Sequence, residues 1–278
     1  MAPARADQTE SNCARLRDYF SALGSVLVAY SGGVDSALLA WLAHDALGVR
    51  MRAVLADSAS LARRELESAR RFALHHGIPL DVVQTSEMDN EKYRRNAGDR
   101  CYHCKTALFE KLSALSRQWQ TRSPGADWPL CYGVNLDDLG DYRPGLQAAR
   151  EFKIISPYLD LQLGKQDIRN MARHLALDIA EKPAMPCLAS RIPHGDTVDA
   201  HKLAQVEQAE NMLADMGFVQ FRVRHHGDLA RIEVPDSDML RVLELRDAIL
   251  AQCKKAGFKF IALELAGFKS GSLNATLA

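Results

Sequence analysis

The sequence predicts an α/β fold, a parallel doubly wound sheet followed by a smaller C-terminal α+β domain. Three observations carry that expectation. Residues 26–36 read Val-Leu-Val-Ala-Tyr-Ser-Gly-Gly-Val-Asp-Ser, an apolar strand running into a glycine turn and then a helix. Short apolar runs then alternate with helical stripes as far as residue 175, the rhythm from which parallel sheets are built. Near Glu181 the composition changes, and residues 182–195 pack three prolines into a run that no regular helix tolerates. The domain boundary is placed there, giving domains of residues 1–180 and 181–278.

The elements follow in order. Residues before Asn12 read as a loose tail. After the strand at 26–30, Ala37 to Leu47 carries a helical apolar stripe, and Val49 to Leu55 is a second apolar run, completing one βαβ unit. A helix is expected from about Ala59 to His76, stopped by Gly77 and Pro79, with a strand at Leu80–Val83. Leu108, Leu112 and Leu115 place a helix over Arg100 to about Trp119, and Leu130–Val134 reads as a strand entering a polar loop. A helix over Lys165–Leu175 completes this domain. Beyond the boundary, a helix is expected at 200–216, strands at 218–224 and 230–234 flanking His225-His226-Gly227-Asp228, a helix at 239–256 and a strand at 258–265.

Bulk properties narrow the function. A chain of 278 residues, 47% hydrophobic, can bury a full core. Its 35 basic and 35 acidic side chains balance, so no overall field draws it to nucleic acid or to an anionic membrane. The N-terminus has no signal-peptide core, and no stretch reaches the roughly 18 apolar residues of a membrane span, so a cytoplasmic setting is expected. Six cysteines are too few for a disulfide scaffold in a chain of this length, and close spacing favours metal, cluster or redox chemistry.

The turn at 31–36 suits an anion. Adjacent glycines let backbone amides approach a phosphate, and the following helix adds unpaired N–H groups and a positive dipole end. No lysine precedes Ser36, and the spacing is not that of a Walker loop, which disfavours cleavage between the β and γ phosphates. Ser31-Gly-Gly-Val-Asp-Ser36 instead resembles the PP-loop of the ATP pyrophosphatases, a fold also described as adenine nucleotide alpha hydrolase-like. That resemblance implies cleavage of ATP at the α-phosphorus with release of pyrophosphate. In an open α/β sheet the strand ends converge on one ligand. The candidate ATP-binding residues are Ala29, Ser31, Gly32, Gly33, Val34, Asp35, Ser36, Ser58, Gly133 and Asn135. Asp35 is the expected Mg²⁺ partner, because a hard cation on a triphosphate takes one or two carboxylates; a helix-capping role is compatible with this.

Cys101 and Cys104 form a C-x-x-C at a predicted helix start, where the dipole, Arg100 and Lys105 favour thiolates. Zinc would ask for a fourth ligand. Three thiolates, with Cys187 as the third, suit a four-iron cluster with one iron left open. A redox pair and plain packed thiols are the competing readings. Cys13, Cys131 and Cys253 read as core or surface thiols. Arg222 and Arg224 alternate on one strand, so both guanidiniums project to one face and could clamp a phosphate.

Five ordered segments sharpen the reading: Ser31–Ser36; Arg100-Cys-Tyr-His-Cys-Lys105; Gly133–Asp138 with Asp141–Gly145; Pro186-Cys-Leu-Ala-Ser-Arg-Ile-Pro193; and Phe221–Gly227. Together they resemble the LarE family of ATP-dependent sulfur transferases over nearly the whole chain. The resemblance implies a role in making the nickel-pincer nucleotide cofactor. A carboxylate of pyridinium-3,5-biscarboxylic acid mononucleotide would be adenylated and converted to a thiocarboxylate. It also implies a homo-oligomer and partners in the cofactor pathway. Sulfur would come through a 4Fe-4S cluster on Cys101, Cys104 and Cys187, or from Cys187 itself, which would end as dehydroalanine. Ser190 and Arg191 would orient the acyl-adenylate, and Arg222 and Arg224 would bind the mononucleotide phosphate. The alternatives are a PP-loop tRNA thiolation enzyme, against which the balanced charge argues, an amide-forming PP-loop synthetase, and a metal-binding regulator.

Overall fold

The computed structural model describes residues 3–123, 125–140 and 144–269. In chain order the elements are α1 (Pro3–Leu23), β1 (Val26–Tyr30), α2 (Val34–Leu47), β2 (Met51–Asp57), α3 (Arg63–His75), β3 (Leu80–Gln84), α4 (Glu91–Arg94), α5 (Arg100–Arg122) and β4 (Leu130–Tyr132). They continue with α6 (Pro144–Glu151), α7 (Pro157–Asp160), α8 (Lys165–His174), α9 (Ala200–Asp215), β5 (Arg222–His226), β6 (Leu229–Glu233), α10 (Met239–Glu244), α11 (Arg246–Lys255) and β7 (Phe260–Leu263). Two units are formed. The first takes the described residues of 1–58, 65–87 and 101–184; the second takes those of 59–64, 88–100 and 185–278.

The first unit is the α/β layer structure. Its sheet runs β3-β2-β1-β4 with every pair parallel. All five residues of β1 are buried, which is why it reads as an unbroken apolar run rather than an alternation. Helices α1, α2 and α8 pack on one another. Phe109 and Leu112 of α5 and Ala148 and Ala149 of α6 join Leu27, Val54 and Tyr132 in a separate core cluster. Helices thus cover the strands in the doubly wound manner. From β1 the chain steps outward through β2 to β3 and then returns to place β4 on the other side of β1. The strand order therefore reverses between β1 and β4, the place where such sheets bind ligands.

Several expectations change here. From Pro3 onward the expected tail is part of α1, because Cys13, Leu16 and Phe20 recur at helical spacing and are almost wholly buried. Arg15 and Tyr19 on the same helix donate to the Leu161 carbonyl (3.0 Å) and to Asp160 Oδ2 (2.6 Å). The helix expected from Ala59 begins only at Arg63, and the strand expected to reach Val134 stops at Tyr132. Helices α6 and α7 are additions to the expected elements. Among the described residues no helix is long and apolar enough to cross a membrane.

The second unit is α+β. Its sheet runs β5-β6-β7, with β5 and β6 antiparallel and β6 and β7 parallel. The expected strand at 218–224 lies later, at 222–226, because Phe218 and Phe221 enter the core from the preceding loop instead of joining the ladder. His225 and His226 therefore belong to β5, opposite Ala230 and Leu229, and only Gly227 and Asp228 form the turn. The single helix expected at 239–256 is two, with Leu245 at the break (φ −94°, ψ 10°) packing against the core.

Candidate active site

The loop after β1 is held open by its own serines. The backbone N–H of Ser31 donates to Ser36 Oγ (3.0 Å), Ser31 Oγ lies 3.0 Å from the same oxygen, and Ser36 Oγ donates to the Gly33 carbonyl (3.2 Å). Gly33 precedes α2 in extended conformation and has no side chain to cap it, so the amides at this helix start are left for a ligand. Gly32 has φ +74°, and a Cβ there would lie 2.5 Å from Ala69 Cβ. Only glycine meets both demands. Gly133, after β4, backs onto the same corner: a Cβ there would lie 3.0 Å from the Asp35 carbonyl carbon and from Ser36 N. Ser31–Ser36, Gly133 and Asn135 therefore sit together. Ala29 is the buried residue before Tyr30, and Ser58 follows β2 half-buried.

Asp35 is the carboxylate of this corner that meets a lysine side chain. Its Oδ1 and Oδ2 receive Lys165 Nζ at 2.8 and 2.6 Å, and Asn135 Nδ2 lies 3.4 Å from Oδ1. The Tyr158 hydroxyl donates to the Asp35 carbonyl (2.8 Å). Burial first, then the Asp35 carboxylate, pushes that phenol far above its ordinary range, so it stays a donor. Lys182 approaches from another direction, its Nζ 3.0 Å from the Gly32 carbonyl, 3.2 Å from Ser68 Oγ and 2.8 Å from Glu65 Oε2. Neither lysine is among the expected site residues. Lys165 and Lys182 lie far along the chain from the loop they serve, and the one hint is that Lys165 follows Gly164 at a predicted helix start.

A carboxylate with hard oxygens, part exposed, that already attracts a cation fits Mg²⁺. For iron the test is different. Cys101 is exposed and Cys104 half-buried at the start of α5, Cys187 is half-buried in the second unit, and among the described residues no group of three or more His, Cys, Asp or Glu is placed to hold a metal ion. Burial pushes up the thiols of Cys13 and Cys131, and that of Cys253 to about 11; all three are core thiols.

In the second unit Cys187 caps a one-turn 3-10 helix, Leu188–Arg191. Ser190 Oγ donates to the Cys187 carbonyl (2.7 Å), and Leu188 N donates to the Ser60 carbonyl (2.8 Å). Arg191 is almost completely buried. Its Nη1 donates to the carbonyls of Pro186 (2.5 Å) and Cys187 (3.1 Å) and to Ser190 Oγ (2.9 Å), while Nε and Nη2 grip Glu210 at 2.8 and 3.0 Å. Arg191 thus holds the cysteine turn in shape. Arg224 forms a second fork, to Glu233 at 3.0 and 2.8 Å, and donates to the Ser190 carbonyl (2.9 Å).

Arg222 and Arg224 are both buried on β5, not exposed strand arginines. The Arg222 guanidinium lies 5.0 Å from the centre of the Phe268 ring and donates to the Phe221 carbonyl (2.5 Å). Burial, with Arg191 next, pulls its pKa down to about 10, so it is still charged at neutral pH. Arg191, Arg222 and Arg224 lie with Glu210 and Glu233 in one buried, charge-paired group. Asp141, Tyr142 and Arg143 lie outside the described residues.

No family model matches the chain. An uncharacterized protein of Synechocystis sp. is 41% identical over 272 residues, 96% of this chain and 98% of that protein. The pyridinium-3,5-bisthiocarboxylic acid mononucleotide synthase of Lactiplantibacillus plantarum is 32% identical over 256 residues, 92% of this chain and 91% of the synthase. The glutamine-hydrolyzing GMP synthase of Thermoplasma acidophilum has a subunit that is 28% identical over 205 residues, 69% of this chain and 64% of that subunit. With a PP-loop fold and a match to the synthase along almost all of both chains, the protein belongs to the LarE family of sulfur transferases.

Proposed function

We propose that the protein is an ATP-dependent, AMP-forming sulfur transferase that acts on pyridinium-3,5-biscarboxylic acid mononucleotide in biosynthesis of the nickel-pincer nucleotide cofactor. The observation that carries this is the match to the synthase over 92% of the chain. The glycine loop and its two lysines support the ATP half of the reaction. A substrate carboxylate oxygen attacks the α-phosphorus, the bond to the β-phosphate oxygen breaks, and pyrophosphate leaves. The acyl-adenylate has a good leaving group where the carboxylate had none. Asp35 would hold Mg²⁺, which when bound neutralises charge on the triphosphate. The amides of Gly32–Ser36 orient the nucleotide, and catalysis falls to positioning and charge.

Sulfur enters through Cys187. Its sulfur attacks the acyl carbon and expels AMP; loss of the α-proton then breaks the Cβ–Sγ bond, leaving a thiocarboxylate on the product and dehydroalanine in the chain. Arg191 and Ser190 shape the turn that presents this residue, and Arg222 and Arg224 bind the substrate phosphate. A second reading, favoured by the C-x-x-C spacing at the start of α5, makes Cys101, Cys104 and Cys187 the ligands of a 4Fe-4S cluster. A homo-oligomer in the cytoplasm, meeting other proteins of the cofactor pathway, completes the proposal.

Phosphorus NMR of a reaction containing ATP, Mg²⁺ and the dicarboxylate mononucleotide tests the first step. AMP and pyrophosphate should appear only with the mononucleotide present. Formation of ADP, or turnover that instead requires tRNA, would refute the assignment.

A further inference from the structure

The carboxylate expected to meet Mg²⁺ already has a cation on it. Lys165 Nζ touches both oxygens of Asp35, at 2.8 and 2.6 Å, and Asn135 Nδ2 occupies another side of Oδ1 at 3.4 Å. A Mg²⁺ ion bound at roughly 2.0–2.1 Å from either oxygen would sit against that ammonium, and two cations so close repel strongly. The backbone end of Lys165 is fixed: its N–H donates to Asp137 Oδ2 (2.5 Å) at the first turn of α8, where Gly164 N is bound to Asp167 Oδ2 (3.0 Å). Its side chain is about a third exposed and flexible, so only the ammonium is free to swing.

From this geometry, and resting on the ATP reading above, we infer that Lys165 guards Asp35 in the nucleotide-free enzyme, so that the divalent metal enters with ATP and not before it. The exchange is driven by the triphosphate. Without it, a metal ion must evict an ammonium from its ion pair and offers it nothing in return. With it, the phosphates give the displaced ammonium a new partner and supply the metal with further oxygen ligands. The PP-loop lacks the lysine of a Walker loop, and Lys165 brings an equivalent charge from far along the chain, with Asp35 as its resting place. Lys182 is not part of the exchange, because it is tied to the Gly32 carbonyl, Ser68 and Glu65.

The test is Mn²⁺ binding to the full chain, followed by the electron paramagnetic resonance signal of the free ion, with and without α,β-methylene-ATP. Without nucleotide, Lys165→Met should bind Mn²⁺ at least about tenfold more tightly than wild type, since an ion pair and a repulsion are both removed. Asp35→Asn in the Lys165→Met background should abolish that gain. Lys165→Arg, which keeps the charge, should behave as wild type. The guard is overturned if wild type or Lys165→Arg binds Mn²⁺ alone as well as Lys165→Met does, or if the gain survives Asp35→Asn. Failure of wild type to bind the analogue with metal would instead overturn the ATP reading, and that arm is independent of the nucleotide-free titration.

Discussion

Cys187 depends on residues that never touch its sulfur. Arg191 takes two carbonyls of its turn and is itself held by Glu210, while Arg224, held by Glu233, takes a third. Removing either glutamate would leave a buried guanidinium without its carboxylate, a change worth about 3–5 kcal/mol in comparable sites. Intact mass after one turnover reads the fate of the cysteine directly. Loss of one sulfur and two hydrogens is the expected result. Unchanged mass, together with a broad visible band after anaerobic reconstitution with iron and sulfide that Cys101→Ala removes, would move the source to the cluster. The Ser31–Ser36 loop was legible in the sequence because its chemistry is local. The lysines on it were not, because contacts between residues 32 and 182, or 35 and 165, follow from how α8 and the segment after it return to β1. The arginine pair on β5 was legible by alternation alone; its burial and its glutamates were not.

At the level of elements, β5 carries a titration. His225 is buried, with Nε2 3.1 Å from Gln205 Oε1. Burial, then Lys202, lowers its pKa, and His226 is lowered by burial and by Arg231. The folded strand therefore prefers neutral imidazoles, whereas the unfolded chain takes up protons near pH 6.5. More protons bind to the unfolded state, so stability rises with pH through that region. It should be full above about pH 6.5 and fall progressively below it. Thermal melts between pH 8 and pH 5 should show wild type losing several degrees, and His225→Gln losing measurably less. Equal losses would remove His225 from this role. The same strand shows where periodicity misleads: Phe218 to Arg224 alternates well enough for a strand, yet the two phenylalanines are core anchors of a loop. Helix α1 shows the converse, a polar segment made regular by three buried residues one turn apart.

Over the whole molecule, the parallel sheet was readable because alternating strands and helices leave few ways to pack. The way residues 59–64 and 88–100 join the second unit was not, since nothing local in those segments marks the crossing. Carboxylate activation is assigned to the first unit and sulfur supply to Cys187 in the second. These steps should separate. The decisive measurement is a single-turnover reaction of Cys187→Ala with ATP and the dicarboxylate mononucleotide, following pyrophosphate and thiocarboxylate together. Pyrophosphate should be released as in wild type while no thiocarboxylate forms; thiocarboxylate at the wild-type yield would contradict the passage of sulfur through Cys187.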